Sequence, residues 1–194
     1  CWLAGNDNIT LCMHCASRRA LRIYKQRISC NGDIAKIETN NNSVKLSGTG
    51  ALVMEDTILR GTANGTKRTV IVEGGLAELT NVEILDSALS AIHANKEKSV
   101  VKGKDIVIKN AQNAITGSNG SITVSGLTTE KITNNNILAE GKVKVTVKNS
   151  TGEKGLGVSD GHSTKATANA VVTLANVEIK GVSSGSKYGI MAEG

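Results

Sequence analysis

The sequence predicts an all-β chain wound into a right-handed parallel β-helix, with three strands per coil and about 24 residues per coil. Three observations carry that prediction: a recurring anchor with two inward apolar positions, two further apolar patches in constant phase with it, and a composition suited to a narrow core. The anchor recurs as Asp56-Thr57-Ile58-Leu59, Asn81-Val82-Glu83-Ile84, Asp105-Ile106-Val107-Ile108, Gly126-Leu127-Thr128-Thr129, Lys144-Val145-Thr146-Val147 and Asn176-Val177-Glu178-Ile179. Its copies start 25, 24, 21, 18 and 32 residues apart. Within each copy, apolar and polar positions alternate with the period of a strand, one face in and one face out.

The other two strands of the coil follow from the flanking patches. Leu52/Met54, Ala77/Leu79, Ile122/Val124 and Val172/Leu174 precede the anchor, and Val70/Val72, Ile92, Ile115, Ile137, Val158 and Ile190 follow it. The run from Asp56 to Gly74 matches the run from Asn176 to Gly194, each with a polar anchor, a glycine five residues on (Gly61, Gly181), a lysine in the loop (Lys67, Lys187) and a closing Glu-Gly. A propeller blade needs about 40–45 residues, and a leucine-rich repeat needs a leucine consensus that is missing here. The aromatics are only Trp2, Tyr24 and Tyr188, with no Phe and no Pro, so stacked Val, Ile, Leu and Ala must fill the interior. Gly and Asn adopt positive φ cheaply, which marks Asn31-Gly32, Asn64-Gly65 and Asn119-Gly120 as corners. One stretch, Ser17 to Ile28, carries a trace of helical periodicity.

Two parts are expected: a Cys/Arg-rich cap over residues 1–30 and a solenoid over residues 31–194, truncated at its C-terminal end because the pattern breaks off at Glu193-Gly194. The cap would shield the apolar cross-section and strand edges that an open solenoid presents. All four cysteines, Cys1, Cys12, Cys15 and Cys30, fall in it, which reads as a disulfide staple and an oxidising compartment. Zinc at Cys12-Met13-His14-Cys15 with Cys30 is the competing reading, short of a second paired motif, and a lipid-modified Cys1 is a further one. No thioredoxin-like βαβ pattern supports a redox role for Cys12 and Cys15. No apolar run is long enough to span a membrane as a helix.

The cap also concentrates charge. Arg18, Arg19, Arg22, Lys25 and Arg27 crowd into ten residues of a chain whose whole formal charge is +6, and no acidic residue lies between Asn8 and Gly32. Such a cluster is either a solvated face or a binding patch for heparan sulfate or an acidic protein surface. Nucleic acid is not expected, because three aromatics offer no stacking platform.

Catalysis is not expected either. Glycan-cleaving sites need paired carboxylates, and the outward column Ile58, Glu83, Val107, Thr128, Thr146 and Glu178 separates its two glutamates by three coils. Cys15 beside His14, and the run Ser159-Asp160-Gly161-His162-Ser163, are the nucleophile candidates, but neighbours along an extended chain point opposite ways. No cofactor or metal is called for. The long interval from Lys144 to Asn176 predicts a loop over Thr151 to Asn169, where Lys154, His162 and Lys165 would meet a partner.

Val/Ile-rich coils with Gly/Asn corners, no Pro and few aromatics resemble the passenger domain of bacterial autotransporters, secreted β-helices that a separate C-terminal membrane barrel exports. The small size and the head Cys12-Met13-His14-Cys15-Ala16-Ser17-Arg18-Arg19 resemble the proangiogenic members of that family found in Bartonella. The resemblance implies a secreted or cell-surface protein that stimulates endothelial cells through a vascular endothelial growth factor receptor. An adhesin or structural β-helix that binds matrix or glycosaminoglycan without signalling is the other expectation. Clustered cysteines depart from the usual passenger.

Overall fold

A computed structural model describes residues 20–23, 26–31, 35–40, 43–61, 68–154, 164–180 and 189–193, with side chains from residue 44 on apart from 153 and 154. The chain is all β, a parallel solenoid of about five coils spaced about 24 residues apart. Its strands are β1 (Ala20–Ile23), β2 (Gln26–Asn31), β3 (Ala35–Asn40), β4 (Ser43–Gly48), β5 (Ala51–Arg60), β6 (Val70–Glu73) and β7 (Gly75–Ala94). There follow β8 (Ser99–Gly117), β9 (Ser121–Ala139), β10 (Lys144–Lys154), β11 (Thr164–Thr167), β12 (Val171–Lys180) and β13 (Ile190–Glu193).

The long strands bend where a polar residue enters the left-handed region. One stack of corners is Asp56, Asn81, Asp105, Gly126, Asn149 and Asn176, with φ between 49° and 73°; a second is Asp86, Asn110 and Lys131. Each non-glycine there carries a cost that Asn and Asp lower through their short polar side chains. The side chains also bond from coil to coil: Asn81 Nδ2 donates to Asp56 Oδ1 at 2.7 Å, Asn110 Nδ2 to Asp86 Oδ1 at 3.1 Å, and Asn176 Nδ2 to Asn149 Oδ1 at 3.0 Å. At Gly126 a Cβ would lie 2.5 Å from Asp105 Oδ1, so this corner gives its space to the aspartate of the coil before. The first residue of the sequence anchor is thus the corner itself in every copy but the fifth, and the expected corner at Gly120 also has positive φ, +87°.

The corners divide β7, β8 and β9 into three straight segments whose inward residues stack. Ala77, Val101, Ile122 and Val145 form one column; Val82, Ile106 and Leu127 form another; Val70, Ile92, Ile115 and Ile137 form a third, all nearly or fully buried.

The register corrects the fifth anchor. Lys144 pairs with Ser121 and Val171, so Lys144-Val145-Thr146-Val147 belongs to the segment before the corner. The corner of that coil is Asn149, and Ser150 and Gly152 occupy the column positions expected for Val145 and Val147. The outward column likewise takes Thr151 in place of Thr146. The misreading arose because Lys-Val-Thr-Val and Asn-Ser-Thr-Gly both alternate, and only the first has apolar residues in phase. Ser150 is tolerated inside because its Oγ donates to the Lys148 carbonyl at 2.6 Å and accepts from the Leu127 amide at 2.9 Å. Thr57, one end of the same column, bonds the Glu55 carbonyl in the same way at 2.8 Å. Gly152 lies on the wall of a cavity of about 20 Å³ beside Leu127, Thr129 and Val177, and a Cβ there would come within 2.9 Å of Asn136 Nδ2.

The expected loop is also shorter. With the corner at Asn149 the last interval is 27 residues, and both flanks of Thr151–Asn169 are strand, β10 up to Lys154 and β11 from Thr164. Thr164 takes the stacking position expected of Val158, pairing with Ile137 and Ile190; Val158 and His162 lie outside the described residues.

Ahead of the parallel stack the pairing changes sense. β1 pairs antiparallel with β2, β2 antiparallel with β5, and β3 antiparallel with β4, which then joins β6 in parallel. Within the stretch from Ser17 to Ile28, Ala20–Ile23 and the residues from Gln26 on are strand, and the trace of helical spacing is overridden by the pairing of β1 with β2 and of β2 with β5.

Candidate functional site

Most of the predicted head lies outside the described residues. Cys1, Cys12, Cys15, His14, Arg18, Arg19 and Lys25 all do, and Cys30 is described only as backbone in β2, opposite Leu52 of β5. Of the predicted cations, Arg22 of β1 and Arg27 of β2 are described as backbone only, where they are register partners.

The outward columns of the solenoid are laced by ion pairs between coils. Lys109 Nζ lies 3.3 Å from Glu83 and 3.9 Å from Glu130, Lys102 Nζ 3.3 Å from Glu78, and Arg60 2.7 Å from Asp86. Glu178 lies far along the column from Glu83, with Val107, Thr128 and Thr151 between, and faces Lys180 at 3.2 Å. These exposed pairs are worth a few tenths of a kcal/mol to about 1 kcal/mol each, and they hold the carboxylates apart. Among the described residues no group of three or more His, Cys, Asp or Glu could hold a metal.

Inside, the third segment carries a polar row that the sequence did not disclose. Asn135 donates to Asn113 Oδ1 through its amide at 3.2 Å and its Nδ2 at 3.0 Å, and Asn113 Nδ2 donates to the Leu89 carbonyl at 3.3 Å. Thr69 and Ser87 share a hydrogen bond between hydroxyls. His93, only 6% exposed, has Nδ1 2.7 Å from Thr116 Oγ1, which in turn donates to Ser90 Oγ at 3.1 Å. Burial pushes the His93 pKa down to about 4, and the nearby Arg68 charge adds to the effect while Glu73 and Thr116 oppose it. The imidazole is therefore neutral at pH 7 and its contacts are those of a satisfied interior. Glu73 is held below the usual carboxylate range chiefly by its hydrogen bond with Lys45, whose Nζ is 2.9 Å away.

The outward face of the first segment is different. Lys102 and Lys104 on β8, and Lys144 and Lys148 on β10, flank a β9 strip of Ser121, Thr123 and Ser125. Thr123, Thr146 and Thr173 continue the column begun by Lys102. All four lysines are exposed. Across β8, β9, β10 and β12 the outward positions of this segment carry no carboxylate; Asp105 follows Lys104 at the corner, and Glu78 of β7 pairs with Lys102. The sequence reading missed it because Lys144 was assigned to the wrong segment; the alternation Lys-x-Thr-x-Lys over residues 144–148 was the available signal. No protein-family profile matches the chain, nor does any curated protein or solved structure.

Proposed function

We propose that this chain is an exported, non-catalytic binding module, an adhesin-like β-solenoid that meets its partner through outward strand faces. The observation that carries the reading is the arrangement of the polar side chains: buried polar groups of the middle coils hydrogen-bond to one another, while the outward carboxylates of Glu78, Glu83, Asp86 and Glu130 sit beside lysines or arginine. Export rests on the resemblance to autotransporter passengers. The solenoid supplies rigid, flat faces on which side chains recur every coil, about 4.8 Å apart, a geometry suited to extended partners.

A second reading, a ligand for a vascular endothelial growth factor receptor, rests on the resemblance and on the charge that Arg18, Arg19, Arg22, Lys25 and Arg27 concentrate in the sequence of the head. One experiment separates the two. The purified chain is applied to immobilised matrix proteins and to cultured endothelial cells, with receptor phosphorylation measured in parallel. Saturable binding to matrix and cells without phosphorylation is the expected result; phosphorylation abolished by R22Q/R27Q would replace the adhesin reading with the receptor one.

A further inference from the structure

Resting on the binding-module reading, we infer that the outward face of β8, β9 and β10 is a binding surface for a linear acidic polysaccharide, with Lys102, Lys104, Lys144 and Lys148 taking its anionic groups and Thr123 and Thr146 its hydroxyls. Lys104 and Lys148 share a column two coils apart, about 10 Å, and Lys144 and Lys148 are four residues apart on one strand, about 13 Å. The four charges therefore outline a flat patch instead of converging on one point. Lys102 already pairs with Glu78 at 3.3 Å, a weak exposed pair, so an arriving chain competes with that carboxylate there. A single small anion would engage one or two of the lysines, whereas a chain with anionic groups at intervals also engages Lys104, Lys144 and Lys148 together and releases their counterions.

The surface between the lysines selects among polyanions. Ser121, Thr123, Ser125 and Thr146 present hydroxyls that both donate and accept, which suits sugar hydroxyls, carboxylates and sulfates. No aromatic residue stands on the face, so it lacks the stacking platform on which single-stranded nucleic acid depends. Nor does its centre carry the apolar anchors that stabilise protein interfaces, Val100 and Val171 being at one margin. Strand pairing fixes the backbone under every one of these residues, so little ordering cost attaches to binding beyond the lysine side chains themselves.

The test compares the intact chain with K102Q/K104Q/K144Q/K148Q and, separately, R22Q/R27Q. The probes are heparin oligosaccharide, polygalacturonate, neutral dextran and duplex DNA, with the melting transition of each protein recorded. The expected result is binding of both acidic glycans and not dextran, lowered about tenfold or more in the quadruple lysine variant at unchanged melting temperature, with a shallower salt dependence. Glycan binding that the lysine variant retains, or that only R22Q/R27Q loses, overturns the inference. Duplex DNA bound as tightly as the glycans, through the same lysines, overturns it in favour of nucleic acid. If the intact chain binds no acidic glycan yet still binds matrix protein, the inference falls and the binding-module reading stands; binding to neither removes both.

Discussion

The middle coils and the β12 coil have the same pattern of inward residues and opposite degrees of burial. On β8, Val101, Ile106 and Ile108 are fully buried, whereas Val172, Leu174, Val177 and Ile179 at the matching positions of β12 remain half-buried. Val171 is 51% exposed and Ile190 60%. The cause is neighbours: β8 is flanked by β7 and β9, while β12 pairs with β10 alone among the described residues. A recess of about 440 Å³ lined by Val172, Leu174 and Ile190 opens there. An inward residue in a solenoid is stabilised by the coil on either side, so side-chain identity marks a core position and stacking decides how much it contributes.

The largest effect that would break this comparison is a charge in the core. Ile108→Asp buries an unpaired carboxylate between two coils and costs several kcal/mol, enough to prevent folding. Leu174→Asp leaves its carboxylate partly in water and costs about 1–2 kcal/mol, so the variant folds. Chemical denaturation reads both; an equal loss in the two would mean that the inner face of β12 is covered in solution.

Acid should act on the middle coils next. His93 has a folded pKa of about 4 against about 6.5 when unfolded, so between those values the unfolded chain binds more protons and stability falls as pH drops. The loss from this group begins near pH 6.5, is complete near pH 4 and reaches about 3 kcal/mol at most. Glu73, whose pKa is lowered, adds to it in the same direction as its carboxylate is protonated. Denaturation of His93→Gln across this range should show a flatter pH dependence than the parent chain; an unchanged slope would place the acid sensitivity elsewhere.

The smallest effect should ignore position. Lys131 in a middle coil has φ 54° and Ala168, in the turn before β12, has φ 56°. Glycine at either site removes a local strain and should raise stability by a few tenths of a kcal/mol to about 1 kcal/mol in both. A gain at Lys131 alone would show that corner strain is felt only where both neighbouring coils are present. Thermal melts of the two single variants decide this.

Much of this chain was legible without coordinates because its governing physics is local. Alternation of apolar and polar residues specifies strands because it acts within a few residues; that the residue opening an anchor turns the corner emerged only from the structure, and it fails at Lys144. The period of about 24 residues and the parallel stack followed from the recurrence of that alternation. Register did not. Lys144-Val145-Thr146-Val147 satisfies the strand pattern on either side of a corner, and only pairing with Ser121 and Val171 assigns it. That assignment is what places Lys144 and Lys148 on one face with Lys102 and Lys104, and puts Ser150 and Gly152 into the core column. The buried polar row of His93, Thr116, Asn113 and Asn135 was equally invisible, because each residue is ordinary in sequence and acquires its partner from a coil 22 or 23 residues away. Sequence determined the repeating unit; tertiary pairing decided which units' side chains meet, because coil-to-coil contacts depend on register and a local pattern with period two cannot count coils.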